Sequence, residues 1–104
     1  MITDEDAEKA ADYIRDSATR YAKAKAERCY IEKYLKSKKA LLVKDSSGTV
    51  LDRESYAYSH PEYIELLTGY REAIVIEERE RWLMSAAEIK FEIWRQSSHT
   101  YNNC

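Results

Sequence analysis

Two histidines, two cysteines and nineteen carboxylates are the side chains with which this chain could do acid–base, nucleophilic or metal chemistry. Their spacing argues against all three. His60 and His99 stand far apart, and neither is set at metal-ligand spacing from a Cys, Asp or Glu. There is no Gly-rich phosphate loop and no G-x-S-x-G nucleophile turn. Glu77, Glu78 and Glu80 alternate with Arg79 and Arg81, the pattern of a salt-bridged solvent face rather than a carboxylate dyad. Helices without irregular loops also offer little from which to build a concave active site. The chain is therefore expected to be no enzyme, with no catalytic residues, no metal, no cofactor and no small-molecule substrate.

The other chemistry within reach is electrostatic. From Ala18 to Lys44 the chain carries nine basic residues against two acids, Glu27 and Glu32, a local charge of +7 in a protein whose total is −2. Arg20, Lys23, Lys33, Lys36, Lys38, Lys39 and Lys44 are the candidate nucleic-acid contacts, with Tyr30 and Tyr34 interleaved where rings could stack on unpaired bases. The opposing reading is that these cations solvate a long helix and attract the acidic second half, which has ten acids and six bases from Asp52 to Arg95. They are also scattered around the helix rather than gathered on one face.

The elements that position these residues are helical. The chain of 104 residues has only two Gly and one Pro, with 35% charged residues. That composition suits long helices with few turns, and the fold class expected is all-α with a single domain over 1–104. Thr3 before Asp4, Glu5 and Asp6 starts a helix by capping and by opposing its dipole. The helical pattern holds to about residue 44, where Asp45-Ser-Ser-Gly48 ends it. Roughly forty residues at 1.5 Å each make a helix of about 60 Å, long enough to imply a hairpin or coiled coil. Residues 45–60 form the connector, with a short helix favoured by the capping-box pair Thr49 and Asp52. Ser59-His-Pro-Glu62 reads as a second capping box, starting a helix from about 61 to 96, with a frayed tail over 97–104.

Apolar residues of the first helix recur at Ala7, Ala10, Ile14, Ala18, Tyr21, Ala24, Ile31, Leu35 and Leu42. Those of the second include Leu66, Leu67, Tyr70, Ile74, Trp82, Ala86, Ile89 and Ile93. An antiparallel hairpin with facing residue numbers totalling about 105 sets Ile31 against Ile74, Leu35 against Tyr70 and Trp82 against the alanines at 22–24. It also joins Arg28, which interrupts the first stripe, to Glu77 or Glu78, which interrupt the second, as a hairpin ion pair. A spare stripe of Tyr30, Tyr34 and Leu41 is the candidate oligomer interface, and a homodimer is the expected assembly because two helices alone make a thin core. The cluster Tyr56, Tyr58, His60 and Tyr63 reads either as an aromatic recognition tip or as a small satellite core closing the hairpin.

No apolar run approaches the length of a membrane span, and an acidic start is unlike a secretory signal, so no membrane partner is expected. Cys29 and Cys104 read as reduced thiols of a cytoplasmic protein.

Three stretches together resemble a known group of proteins. They are A-K-A-E-R-x-Y-x-E-x-Y-x-K-S-x-K-A-L-L from Ala24 to Leu42, A-Y-x-H-P-E-Y from Ala57 to Tyr63, and Trp94 near the end. The chain resembles, over about residues 4 to 96, a family of small helical tailed-phage and prophage proteins of uncharacterised function, commonly encoded among early recombination and replication genes. The resemblance carries no catalytic motif. It implies a phage origin, the bacterial cytoplasm and work on DNA or on a phage or host DNA-processing protein. Three roles are consistent with it: an accessory protein in DNA recombination or replication, an inhibitor of a host nuclease or defence complex, and a structural coiled-coil adaptor.

Overall fold

A computed structural model describes residues 1–102 of the chain, with side chains as far as residue 97. The side chains of His99 and Cys104 lie outside the described residues. The fold is all-helical, with no strand among the described residues: α1 spans Asp4–Asp45, α2 Val50–Ser59 and α3 Pro61–Asn102. The α3 backbone thus stays helical past the expected end near residue 96.

Side-chain caps set the helix starts. Asp6 N–H donates to Thr3 Oγ1 at 3.1 Å, and Thr3 N–H returns a 3.1 Å bond to Asp6 Oδ2, a complete capping box. Thr49 and Asp52 make the same reciprocal pair at the start of α2, both at 3.1 Å. Between α1 and α2 the chain turns at Gly48, whose φ of 107° is a left-handed conformation that suits glycine. The α3 start departs from the expected box. Ser59 belongs to the last turn of α2, where its hydroxyl donates to Ser55 O at 2.6 Å. His60 caps α3 instead, with Nδ1 accepting the Glu62 N–H at 3.1 Å. The imidazole wins because a serine hydroxyl already bonded within α2 cannot also turn toward the next helix.

The chain gathers into two compact units. Unit 1 holds Met1–Lys23 and the part of α3 from Glu77 onward; unit 2 holds Ala24–Ile76. In unit 1, Asp4 accepts the Trp94 indole N–H at 2.8 Å, and Arg20 lies 3.5 Å from Glu80. Low numbers meet high and high meet low, so the two segments run antiparallel there. Ala7, Ala10 and Ser17 are buried, Ser17 completely, and its hydroxyl donates back to Ile14 O. Such small residues let a helix approach closely. In the α3 part of the same unit, Met84, Phe91 and Trp94 are half-buried at seven- and three-residue steps, one face of the helix with coiled-coil periodicity.

In unit 2, Ala24, Leu35 and Leu42 of α1, Ala57 of α2 and Ala73 of α3 are buried. Lys38 is joined to Glu62, and Lys39 to Glu54 at 4.0 Å. Only seven residues of α1 remain beyond Lys38. Ala73, three turns beyond Glu62 on α3, is buried in the same unit. In each unit the facing residue numbers total about 100 rather than 105. The reason is α2, which lies back against the end of α1, so that α3 starts level with Lys38 and not with Asp45.

The apolar stripe expected for the second helix is the other correction. Leu66 and Tyr70 are half-buried, but Leu67, Ile74, Trp82, Ala86, Ile89 and Ile93 are exposed, Trp82 and Ile89 each at 61%. Trp82 carries the Arg81 guanidinium over its ring at 4.5 Å rather than facing the alanines of α1. Much of the packed side of α3 is made by residues with polar tips, Tyr70, buried Glu77 and half-buried Glu80 and Arg81, followed by the apolar Met84 and Phe91. Long polar side chains bury their stems and keep their heads wet, so a face that is poor in Leu and Ile still packs. On the first helix, Ser17 takes the buried place expected for Ala18, which is exposed.

Candidate nucleic-acid interface on the basic helix

The seven cations proposed from the sequence divide into two groups. Arg20, Lys38 and Lys39 are engaged inside their units. Arg20 lies 3.5 Å from Glu80, donates to Asp16 O at 3.3 Å and sits 5.6 Å from the Tyr13 ring centre. Lys38 bonds Glu62, which raises the ammonium pKa chiefly through that hydrogen bond and lowers the Glu62 carboxyl by the same contact. Lys39 reaches Glu54 and lies 4.5 Å from the Tyr58 ring centre; the Tyr58 contact is the main cause that raises its pKa. These three hold helices together, and a phosphate would have to displace a carboxylate to reach them.

Lys23, Lys33, Lys36 and Lys44 are exposed, and no ion pair holds them among the described residues. At about 100° per residue, Lys33, Lys36 and Lys44 fall within one arc of roughly 80° on the side of α1 away from Leu35 and Leu42. Lys23 lies off that arc, in unit 1. The scatter expected from the sequence is thus resolved into a ridge in unit 2, because the cations facing inward are the ones with carboxylate partners.

Two cations missed by sequence reasoning extend the ridge. Lys25 is exposed on the same helix. Arg53, from the first turn of α2, lines a groove of about 420 Å³ with Lys36, Lys39, Ala40, Val43, Val50 and Glu54. The Thr49–Asp52 capping box was the available signal for Arg53, since it fixes where α2 starts and so which residues sit in its first turn. Three cations against one carboxylate make this groove a place where an anion lowers local repulsion.

Tyr30, Tyr34 and Leu41 are exposed, Tyr30 at 64%, with the two rings stacked at 6.1 Å and 18° between planes. They share one side of α1 as expected. In the connector, Tyr56 meets His60 edge-on at 5.5 Å and Tyr58 meets Tyr63 at 5.5 Å, around fully buried Ala57. Arg28 bonds Glu32 at 2.9 Å within unit 2, and Glu78 bonds Arg81 at 2.6 Å within unit 1. Arg28 belongs to unit 2, and its expected partners Glu77 and Glu78 to unit 1. No cluster of His, Cys, Asp and Glu among the described residues could hold a metal ion, and Cys29 is a free, half-buried thiol. Among the described residues no helix is long and apolar enough to cross a membrane.

Comparison with known protein families, with curated proteins and with solved structures finds no match to this chain.

Proposed function

We propose that the protein is a non-enzymatic phage accessory factor in DNA recombination or replication, working in the bacterial cytoplasm and binding nucleic acid through the outer ridge of α1. The observation that carries this reading is the set of exposed cations Lys25, Lys33, Lys36 and Lys44, with Arg53 beside them, in a chain of net charge −2. Exposed cations gathered on one ridge suit phosphates there. The other exposed cations without an ion pair among the described residues, Lys23 in unit 1 and Arg71, Arg79 and Lys90 on α3, are not part of that ridge. No spacing on the ridge suits base-edge reading, so the contact is with backbone phosphates. In this proposal α1 and α3 form one antiparallel hairpin domain, with Arg28 paired to Glu77 or Glu78. A double-mutant cycle on Arg28 and Glu77 with a coupling below about 0.5 kcal/mol would remove that pair from the account.

The exposed side of α3 in unit 1 favours a second reading. Trp82, Ala86, Ile89 and Ile93 follow at four-, three- and four-residue steps, a seam suited to another helix. That supports action through a protein: inhibition of a host nuclease or defence complex, or a coiled-coil adaptor role. Capture of partners from infected cells with and without nuclease treatment separates the readings. Partners lost on nuclease treatment indicate a DNA-borne association; partners retained indicate a direct protein target.

A further inference from the structure

Unit 2 presents one face with two dissimilar strips side by side. The Lys38–Glu62 bridge marks that face, because it spans the seam between α1 and α3. Tyr34 and Leu41 lie one turn either side of Lys38 on α1, and Tyr30 one turn further, all three exposed. On α3, Glu65, Gly69 and Glu72 follow Glu62 at three, seven and ten residues, so they continue the same side. One strip is aromatic with Lys33 and Lys44 along its outer margin. The other is acidic and has a glycine at its centre. The opposite flank of α1, at Lys39, Ala40 and Val43, is taken by α2, so this is the open face of the unit.

Gly69 has no role inside the single chain. A Cβ built there meets nothing within 4 Å, and its backbone is ordinary helix. A glycine in mid-helix costs about 1 kcal/mol relative to alanine. A close approach from outside would account for its presence.

We propose that this face docks a second copy of the chain, about a twofold axis running along the helices, so that Tyr30 and Tyr34 of each copy cover Gly69 of the other. The register follows from the Lys38–Glu62 bridge. Eight residues down α1 is Tyr30 and eight residues up α3 is Tyr70, so Tyr30 stands level with Tyr70, one residue beyond Gly69, and Tyr34 falls three residues short of that glycine. A twofold axis along the helices keeps those heights and lays α1 of one copy antiparallel on α3 of the other. Lys33 then falls between Glu65 and Glu72 of the second copy. The alternative twofold, across the helices, lays α1 on α1 and α3 on α3. It sets lysines against lysines and glutamates against glutamates, and like charges held opposite one another are destabilising. Charge therefore selects the first arrangement, and its interface is self-complementary as a twofold dimer requires.

Equilibrium sedimentation with circular dichroism tests the arrangement. The protein should sediment as a dimer at micromolar concentration. Gly69→Leu should be monomeric while keeping or raising its helicity and melting temperature, since the single chain has room for the side chain. Lys33→Glu, and separately Glu65→Lys with Glu72→Lys, should each raise the dissociation constant about tenfold or more. The three charge changes in one chain should recover most of the loss. A wild-type monomer, a Gly69→Leu dimer, or a triple variant no better than its parents each overturns the proposal. All three charged positions are exposed, so these variants stay informative even where Gly69→Leu alters the helix. Lys33 also belongs to the ridge, but sedimentation is read on the protein without nucleic acid, so the outcome is independent of whether the ridge binds it.

Discussion

Arg20, Lys38 and Lys39 show how far a charge count can mislead about a binding site. In sequence they are indistinguishable from Lys33 and Lys36; in the fold each is tied to a carboxylate of another helix. The carboxylates sit from fifteen to sixty residues away, and only the register of the helices brings them together. Arg20→Ala should cost stability, about 1 kcal/mol on thermal melting, because half-buried Glu80 loses its cation while Arg20 itself is half exposed. The Lys38–Glu62 bridge predicts a pH dependence. The Glu62 carboxyl is lowered from 4.5 by its bond to Lys38, so its contribution is full above that value and is lost as pH falls through the depressed one. Lys38 is raised from 10.5, so its contribution is full below that value and is lost as pH rises through the raised one. Melting temperature should be flat between about pH 6 and 9 and fall on the acid side, and Glu62→Gln should flatten part of that acid limb. An unchanged acid limb in the variant would assign it to other carboxylates, of which Asp6 and Asp52, lowered by their bonds to Thr3 and Thr49, are the first to consider.

Helix starts were legible at the scale of the element, and the packed face of α3 was not. Thr3, Thr49 and the acids after them announce α1 and α2 because capping is local, decided within four residues. Which arc of α3 packs is decided by its partner, and in unit 1 that partner offers Ala7, Ala10 and Ser17. In that unit Met84, Phe91 and Trp94 are the half-buried residues of α3, while the arc with Trp82, Ile89 and Ile93 is left exposed. Apolar periodicity alone picks the wrong arc because two arcs of α3 both repeat at three and four residues. Two substitutions test these elements. Ser17→Leu overfills a completely buried position in unit 1 and should cost about 1–3 kcal/mol in denaturant unfolding, whereas Ala18→Leu, at the exposed next position, should cost less than about 0.5 kcal/mol. Gly48→Ala places a Cβ 2.8 Å from Asp52 Oδ2 in a left-handed backbone. It should destabilise the turn and the α2 cap together by about 1–2 kcal/mol.

For the whole molecule, a chain of net charge −2 carries an exposed ridge of cations on α1. The sequence showed that the positive charge lies in α1; it could not show that α2 would add Arg53, or that pairing would leave Lys25, Lys33, Lys36 and Lys44 exposed along one side of α1. Those four with Arg53 are enough for about three to five phosphates. The most direct test is a salt titration of binding to a short single strand and to the same sequence as duplex, read by fluorescence anisotropy. The account predicts a log–log slope of about −2 to −4, and a variant with Lys36, Lys44 and Arg53 replaced by Gln should lose about two to three units of that slope while keeping its helicity. Replacing Lys38 and Lys39 instead should lower stability and leave the slope nearly unchanged. No binding to either form at low salt, or equal slopes for the wild type and the ridge variant, would contradict it.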